Sequence, residues 1–392
     1  MRRRVQLAVL FMPLFFLVLA AGAAEKKFHP TTPASNQGVP WRIGYLEGGP
    51  YVNYPVNLRA LVMALAEMGW MEPLKLPPQA DETDTRQLWA WLSHNVKSSF
   101  IRFVPDAYWS NDWDDARRKT VKDEVLRRLT REKDIDLMLA MGTRAGQDLA
   151  NSDHHVATIV MSSSNPLESN IIKSYQDSGL DHLNARVDPT RYERQVRIFH
   201  DIFGFKKLGI VYETDTPEGR TYGAIEDVKR VSRERGFEVV ACHAPFSNVS
   251  PEEAKKAVRD CIEGLAPKID AFYFTTHRGV TDANMERLLA PLYARRIPTF
   301  SQMGSHEVKY GVLLSIARAG FKYIGRFHAE TIARIFNGAK PRDLEQIFED
   351  PPRIAINLKA AQIIGYDPEL DILGSADEVY DTIATVKKTG AE

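Results

Sequence analysis

The strongest constraint on the fold is a regular alternation of apolar strands and amphipathic helices in the middle of the chain. Strand-like runs begin near residues 208, 237, 271 and 297, about 26 to 34 residues apart, which is the size of a βαβ unit. The helical segments between them carry apolar residues at i, i+3 and i+4. Near-continuous apolar strands are buried on both faces, so the sequence predicts an α/β fold with parallel sheets covered by helices.

The same alternation is visible earlier in the chain, although less regularly. Strands are predicted at 41–47, 135–141 and 156–161, and a C-terminal helix is predicted at 375–386. The stretch 76–115 contains four tryptophans and shows no clear period, so we interpret it as an insertion. A chain of 392 residues is long enough for about two domains.

The N-terminus has the composition of a secretory signal peptide. Three arginines at 2–4 precede a mostly apolar run, Leu7 to Ala21, and small residues follow up to Ala24. We expect residues 1–24 to be removed after Ala23 or Ala24, followed by a flexible leader at 25–40. A membrane anchor is the alternative, but the run is short for a bilayer span and contains Pro13. The sequence therefore predicts an exported, periplasmic protein without stable membrane insertion after cleavage.

Composition excludes two classes of protein. The 51 basic side chains balance 51 acidic ones, whereas nucleic-acid-binding proteins usually have a basic excess or a basic face. Two cysteines are too few for a disulfide-built scaffold. Cys242 ends a predicted strand and Cys261 lies in the next helix, so they are able to pair in an oxidising compartment, but the spacing alone does not decide this.

Candidate ligand-binding residues follow from the predicted sheets, because ligands of parallel α/β sheets bind beyond the carboxyl ends of the strands. Most of these ends carry small, hydroxyl or amide residues suited to hydrogen-bonding a small polar molecule. We expect Arg144 to bind a carboxylate and Glu213 to face an ammonium group. The candidates are Glu47, Gly48, Tyr51, Gly142, Thr143, Arg144, Ser162, Ser164, Asn165, Tyr212, Glu213, Tyr222, Thr276 and Gln302, of which the three tyrosines would cover apolar surface.

Catalytic and metal-binding motifs are weak. Ser162–Ser164 lacks the Gly-x-Ser-x-Gly elbow of a hydrolase, and the chain has no dinucleotide or Walker fingerprint. His154 and His155 have no partner at metal-binding spacing and are interpreted as exposed loop residues. Residues 111–115 resemble a calcium loop only loosely and are better explained as helix N-terminal charge. The sequence predicts no catalytic residue, cofactor or metal.

Several short stretches resemble one protein family in their order and spacing. They are Arg42–Leu46, Asp134–Thr143, Asn165–Pro166, Lys207–Tyr212, Ile269–Tyr273, Arg296–Phe300, Ile335–Pro341 and Ile354–Ala361. In these stretches the chain resembles the periplasmic substrate-binding proteins of ABC transporters, in the branch that includes tryptophan- and tyrosine-binding members. It departs from that family at Asn165, where an aspartate is usual, and in the longer stretch 76–115.

The resemblance implies a type I periplasmic binding protein fold, with two doubly wound α/β lobes joined by a hinge. The first lobe would contain 41–187 and 307–340, and the second 188–306 and 341–392. It also implies a monomeric, non-enzymatic receptor that captures a small polar organic ligand, an amino acid or related carboxylate, and delivers it to an inner-membrane ABC permease. A soluble sensor for a chemoreceptor or histidine kinase is an alternative, and an exported α/β hydrolase is a third.

Overall fold

Two separate β-sheets organise the computed structural model, which describes residues 28–79, 81–317, 321–349 and 353–386. The predicted signal peptide lies outside these residues. The first sheet is fully parallel with strand order β2-β1-β3-β4-β5. Its strands are β1 (Trp41–Glu47), β2 (Ile101–Ser110), β3 (Leu137–Met141), β4 (Ala157–Met161) and β5 (Leu183–Ala185).

The second sheet has strand order β12-β11-β10-β9-β8-β6-β7 and is parallel except where β10 pairs with β11. Its strands are β6 (Lys207–Tyr212), β7 (Glu238–His243), β8 (Ala271–Phe274), β9 (Thr299–Ser301), β10 (Leu314–Ala317), β11 (Arg353–Asn357) and β12 (Ala376–Tyr380). The predicted α/β architecture with parallel sheets is confirmed.

Helices cover both sheets. Those before β6 are α1 (Asn53–Glu67), α2 (Thr85–Asn95), α3 (Asp115–Arg127), α4 (Gly142–Leu149) and α5 (Arg191–Phe203). The later ones are α6 (Pro217–Tyr222), α7 (Ile225–Arg235), α8 (Pro251–Leu265), α9 (Met285–Tyr293), α10 (Ser305–Lys309), α11 (Phe321–Phe336), α12 (Leu358–Ile364) and α13 (Leu370–Gly374). Among the described helices, none is both long and apolar enough to cross a bilayer.

Along the described ranges, successive elements of the chain change from one sheet to the other three times. It leaves the first sheet after β5, returns after β10 through α11, and leaves again before β11. Val187 in the first crossing hydrogen-bonds through its backbone to Gln346 and Phe348 in the third, at 2.8 and 2.9 Å. Two lobes joined by adjacent crossing segments can rotate relative to each other about that junction.

Helix α11 returns to the first lobe and packs closely on α1. A side chain at Gly325 would meet the backbone of Ala60 at 2.5 Å, so only glycine lets the two helices approach this closely. Ala329, Ile332 and Phe336, further along α11, are buried in the same hydrophobic core as β1 and β3. The first lobe is therefore completed by residues that follow most of the second lobe in sequence.

The predicted lobe boundaries need two corrections. Residues 307–317 were assigned to the first lobe, but β10 pairs with β9 and β11 and so belongs to the second sheet. Residues 341–347 were assigned to the second lobe, yet the Asn184 side chain in β5 donates to the carbonyls of Pro341, Leu344 and Glu345. Strand pairing and hydrogen bonding, rather than sequence order, decide which lobe each segment joins.

The part of the predicted flexible leader that is described, residues 28–40, is held against the first lobe. The Trp70 indole donates to the carbonyl of Thr31 at 3.1 Å, and the Asn337 amide donates to the carbonyl of Thr32 at 3.0 Å. Trp41, directly after the leader, stacks on Phe336 with ring centroids 4.6 Å apart. These contacts are made to residues distant in sequence, which is why local composition did not predict them.

Two further segments differ from expectation. The stretch 76–115 is part of the first lobe and not a peripheral insertion, since it supplies α2 and the edge strand β2, with Trp89 fully buried. The predicted helix at 375–386 is replaced by β12, which adds an edge to the second sheet. The structure also joins Cys242 in β7 to Cys261 in α8 by a disulfide.

Candidate functional site

A small polar cavity of about 30 Å³ lies at the junction of the two lobes, near the crossing segments. It has room for about one or two water molecules. Both lobes contribute to it, and none of its described lining residues is acidic. These residues are Tyr51, Asn53, Asn57, Ser162, Ser163, Ser164, Arg186, Arg191, Tyr192, Thr276 and Ile324. We call this space the inner cavity.

Two arginines line the inner cavity. Arg186 directly follows β5, and Arg191 begins α5, so both lie on the first crossing between the lobes. Arg191 is buried, and its guanidinium donates to the carbonyl of Gln302 at 3.1 Å, which fixes its position beside the end of β9. A guanidinium is a planar group of N–H donors, and its geometry matches that of a carboxylate.

The serines at the end of β4 are placed by an unusual backbone. Ser162 has a φ of 57°, in the left-handed region that non-glycine residues rarely adopt and that concentrates at functional sites. This turn directs Ser162, Ser163 and Ser164 toward the inner cavity. The Ser163 hydroxyl lies 3.2 Å from the Thr143 hydroxyl, so predicted residue Thr143 supports the cavity wall without lining it.

A larger cavity of about 940 Å³ lies outside the inner one, between the lobes. We call this space the outer chamber. Tyr51 and Asn53 line both cavities, and Met303 lines the outer one. The Met303 sulfur accepts hydrogen bonds from the Tyr51 hydroxyl at 3.0 Å and the Thr276 hydroxyl at 3.3 Å. Met303 thus joins residues of both lobes where the outer chamber meets the inner cavity.

The outer chamber has a largely apolar wall with charged groups at its rim. Its apolar residues include Val52, Val56, Trp113, Val280 and Met285. A volume of this size is typical of sites for small organic molecules, which combine apolar walls with a few fixed polar groups. The two cavities together therefore form one interlobe cleft with a polar inner end.

The two lobes also touch along a seam beside the cleft. Arg144 of α4 donates to the Ser247 hydroxyl of the second lobe at 2.7 Å, and Trp113 meets Phe246 edge to face at 5.0 Å. The Asn248 side chain donates to Asp115 at 2.7 Å. Arg144 does not line the inner cavity, so the structure gives the predicted carboxylate-binding residue an interlobe role and places Arg186 and Arg191 at the cavity.

The carboxylate of Glu213 is hydrogen-bonded to the loop that contains Phe246 and Ser247, the second-lobe residues of this seam. Its carboxylate accepts hydrogen bonds from the backbone N–H groups of Phe246 and Ser247 at 3.1 and 3.0 Å and from the hydroxyls of Ser247 and Thr216. Burial alone would raise the pKa of Glu213, but these hydrogen bonds outweigh it and hold the pKa below its usual value. In this arrangement Glu213 positions a loop of the second lobe and does not line the inner cavity; its contact with a ligand ammonium group stays a prediction.

Gly142 and Tyr222 lie close to the seam. Gly142 has a φ of 87°, and a side chain there would approach the Tyr54 hydroxyl to 1.9 Å, so this position requires glycine for both conformation and space. Tyr222 is buried against Phe246, with ring centroids 4.9 Å apart. Burial raises the pKa of Tyr222 to about 12.

Glu47 lies behind the site and not in it. It is fully buried and accepts hydrogen bonds from Tyr45 and Tyr108 at 2.9 Å each. Burial, which outweighs the opposing effect of these hydrogen bonds, raises the pKa of Glu47 to about 7. The carboxylate of Glu47 lies among tyrosines of the first lobe and does not line either cavity.

The remaining predicted residues have supporting positions. Gln302 accepts from the Thr276 N–H at 2.6 Å through its side chain, Asn165 accepts from the backbone N–H groups of Leu167 and Glu168, and Gly48 lies against Trp113 and Arg144. Tyr212 belongs to the core of the second lobe. Of the fourteen candidates, the structure brings four to the inner cavity, namely Tyr51, Ser162, Ser164 and Thr276.

Sequence reasoning missed seven residues of the inner cavity. They are Asn53, Asn57, Ser163, Arg186, Arg191, Tyr192 and Ile324. Arg186 follows β5, a strand of only three residues whose sequence Leu-Asn-Ala gives little strand signal. Recognising β5 would have placed Arg186 on the list of strand ends, whereas Arg191 lies in a crossing segment that the strand-end rule does not cover.

Comparison with known proteins assigns the family. Residues 114–380 match the ABC transporter substrate binding proteins. The chain belongs to this family. The predicted resemblance is therefore confirmed, and the three-crossing, two-lobed architecture is that of a type I periplasmic binding protein. The function named in the description of this family is substrate binding.

Solved structures with the same fold extend over most of this substrate-binding protein. An ABC domain from Streptococcus pneumonia in complex with L-Trp is 17% identical, with 87% of this chain and 99% of that chain covered and a TM-score of 0.65. A conserved domain protein from Vibrio cholerae is 16% identical, with 86% and 99% covered and a TM-score of 0.66.

A ligand-free, open substrate binding protein with adhesive properties from Clostridium difficile is 17% identical, with 87% and 100% covered and a TM-score of 0.56. At these identities the likeness concerns the fold alone. No curated protein matches this chain in sequence.

Proposed function

We propose that this protein is an exported solute receptor that captures a small organic molecule bearing a carboxylate and delivers it to an ABC permease. The observation that carries the proposal is the inner cavity, where two arginines, Arg186 and Arg191, and three serine hydroxyls line a space shared by both lobes. The signal-peptide composition of the N-terminus supports export to the periplasm, and the family supports a permease partner.

The carboxylate would enter the inner cavity and lose its water there. Arg191, already fixed by its hydrogen bond to Gln302, would pair with it in a charge-assisted hydrogen bond. The Ser162, Ser163 and Ser164 hydroxyls would serve the remaining lone pairs. A buried anion is stable only when it is paired and hydrogen-bonded in this way.

The rest of the solute would occupy the outer chamber. Its wall near Val52, Val56 and Met303 suits an apolar or aromatic portion, and its volume of about 940 Å³ admits molecules well above the size of the smallest amino acids. Groups of both lobes meet only when the lobes approach, so solute contacts to both walls would favour the closed arrangement by differential affinity.

The solute is best identified from the protein itself. Mass spectrometry after mild denaturation would reveal what co-purifies, and calorimetry against amino acids, other carboxylates and their amides would rank the classes. We expect carboxylates to bind and their neutral amides to bind at least tenfold more weakly, because the amide removes the charge that the arginines recognise. Equal affinity for acid and amide would contradict the proposal.

A variant series tests the assigned arginine. Arg191→Met should reduce affinity for the best carboxylate at least tenfold, and Arg191→Lys should restore only part of it, because lysine lacks the planar fork. Arg197→Ala is the matched control, since Arg197 lies on the same helix but pairs with Glu193 and Glu234 on the surface. Wild-type affinity in Arg191→Met would show that the inner cavity is not the carboxylate site.

A further inference from the structure

A cluster of metal-binding side chain types lies at the rim of the outer chamber, away from the inner cavity. Glu82 comes from the first lobe, and Asp282 and His306 come from the second. One potential ligand atom from each residue lies within 4.8 Å of the other two. The cluster therefore spans the mouth of the cleft and joins the lobes on a side different from the Arg144 seam.

We propose that Glu82, Asp282 and His306 form a divalent-cation site, suited to Zn²⁺, that links the two lobes at the mouth of the cleft. Two carboxylates and one imidazole are a ligand set that Zn²⁺ accepts, with the fourth position left for water or solute. A four-coordinate zinc ion with bonds of about 2.0 Å places its ligand atoms about 3.3 Å apart. Small side-chain adjustments would bring the present separations to that value.

The second-lobe half of the site is already assembled. The His306 Nε2 atom lies 2.8 and 3.0 Å from the two carboxylate oxygens of Asp282. Asp282 sits on a turn that is fixed by mutual hydrogen bonds between Thr281 and Asn284. The His306 ring packs against Tyr310 with centroids 5.3 Å apart. These neighbours limit the movement of both side chains, as the surroundings of metal ligands usually do.

The first-lobe ligand is carried by a hydrogen-bonded loop. The Gln79 side chain donates to the carbonyls of Asp81 and Asp84 at 2.6 and 2.7 Å, and Asp81 accepts from the N–H and hydroxyl of Thr83 at 2.8 Å. Glu82 lies between these residues and faces the second lobe. This loop is part of the stretch 76–115, so the proposal gives that stretch a role at the cleft.

Electrostatics at the cluster favour a cation. One carboxylate oxygen of Glu82 lies within 4.8 Å of one of Asp282, so the two like charges repel each other when both groups are ionised. A divalent ion between them would remove this repulsion more completely than a proton does. The proton-sharing alternative, with His306 and Asp282 as a simple ion pair, predicts no saturable metal binding.

Coupling to lobe closure follows from the position of the ligands. All three donors meet only when the lobes are together, so a bound ion would stabilise the closed arrangement, and closure would raise the affinity for the ion by the same factor. The cluster binds a cation, whereas the inner cavity is proposed to bind a carboxylate. Cation binding can therefore be measured without any solute.

The test uses the full, tag-free mature chain after removal of metal by chelation. Calorimetric titration with Zn²⁺ at pH 7.5 should show one ion per chain, and Glu82→Gln and His306→Ala should each lower the affinity at least tenfold. Co²⁺ should give visible absorption bands in the wild type that are lost in His306→Ala. Zn²⁺ should also reduce the radius of gyration of the wild type but not of Glu82→Gln.

The matched control is His243→Ala. His243 forms a comparable pair with Asp215 at 3.8 Å on the second lobe but is not part of the three-residue cluster, so its loss should leave Zn²⁺ affinity unchanged. Absence of saturable binding, or equal binding in wild type, Glu82→Gln and His306→Ala, would overturn the site. Loss in His306→Ala with full affinity in Glu82→Gln would also overturn it, because the site would then lie wholly in the second lobe.

Discussion

The guanidinium of Arg144 in the first lobe donates a hydrogen bond of 2.7 Å to the hydroxyl of Ser247 in the second. The same guanidinium lies 3.0 Å from Asp115 and over the Trp113 ring at 5.6 Å, and Arg144 is only 3% exposed. Charge-assisted hydrogen bonds of this kind stabilise more than neutral ones. Arg144 therefore acts on the contact between the lobes.

Arg144→Ala should shift the protein toward more open arrangements. Losing a buried hydrogen bond to a charged group costs about 1.5–3 kcal/mol, which here falls on the closed arrangement alone. Small-angle X-ray scattering should show a larger radius of gyration for the variant. Arg117→Ala is the control, since Arg117 pairs with Asp112 within the first lobe; an unchanged radius for Arg144→Ala would contradict this role.

Gly142→Ala should lower the free energy of unfolding by at least about 2 kcal/mol. The residue has a φ of 87° and its new Cβ would lie 1.9 Å from the Tyr54 hydroxyl, so backbone strain and overpacking add together. Denaturant unfolding measures the difference. Gly204→Ala is the control, because Gly204 also has a positive φ but has open space around it, and it should cost about 1 kcal/mol.

Tyr54→Phe, introduced into the Gly142→Ala background, should recover part of the loss because it removes the hydroxyl that the new methyl group meets. No recovery would show that the backbone conformation alone accounts for the effect.

Glu47 should make stability depend on pH near neutrality. Its pKa is about 7 in the folded protein and close to 4.3 in an unfolded chain, so folding favours the protonated carboxyl. The contribution is complete below about pH 4 and is lost as pH rises through 7, by up to about 4 kcal/mol. The stability of the wild type relative to Glu47→Gln should therefore fall between pH 5 and 8, as measured by denaturant unfolding.

Glu72→Gln at an exposed position serves as the comparison for Glu47, and its stability should run parallel to that of the wild type across this range. A constant difference between wild type and Glu47→Gln from pH 5 to 8 would show that Glu47 ionises normally in the folded protein.

The disulfide between Cys242 and Cys261 should stabilise the second lobe. It closes a loop with a sequence separation of 19, for which the loss of unfolded-state entropy is worth about 3 kcal/mol. Replacing both cysteines by serine should lower the free energy of unfolding by about that amount. A reducing agent should bring the wild type to the stability of the variant and leave the variant unchanged; an effect on both would indicate another cause.

The strands that could be predicted are those that a local pattern of apolar residues marks in the sequence. Strands such as β6 and β8 are nearly continuous apolar runs, so sequence alone locates them. Strand β2 was missed because Pro105 interrupts it, and its pairing with β1 shifts register between Ile43 and Tyr45 to accommodate the extra residues. Strand β12 was mistaken for a helix because an exposed edge strand has a weak apolar pattern.

The site was predicted less completely because it depends on contacts between distant segments. Strand ends indicated Ser162 and Thr276, both of which line the inner cavity, since their position in a parallel sheet is local information. The partner of Arg144 is Ser247, 103 positions away, and only the approach of the two lobes decides that contact. The residue types at strand ends could thus be predicted from the sequence. Which of these residues face the solute and which face the other lobe could not.

The return of α11 to the first lobe affects how this protein must be made in the cell. During synthesis, the strands of the first lobe emerge long before Ala329, Ile332 and Phe336, which complete its core. A ribosome adding about 5–20 residues per second would leave that apolar face of α1 uncovered for roughly 10 to 50 seconds. A chaperone or the export machinery can act on the chain during this interval, and truncation before residue 321 would leave the face permanently exposed.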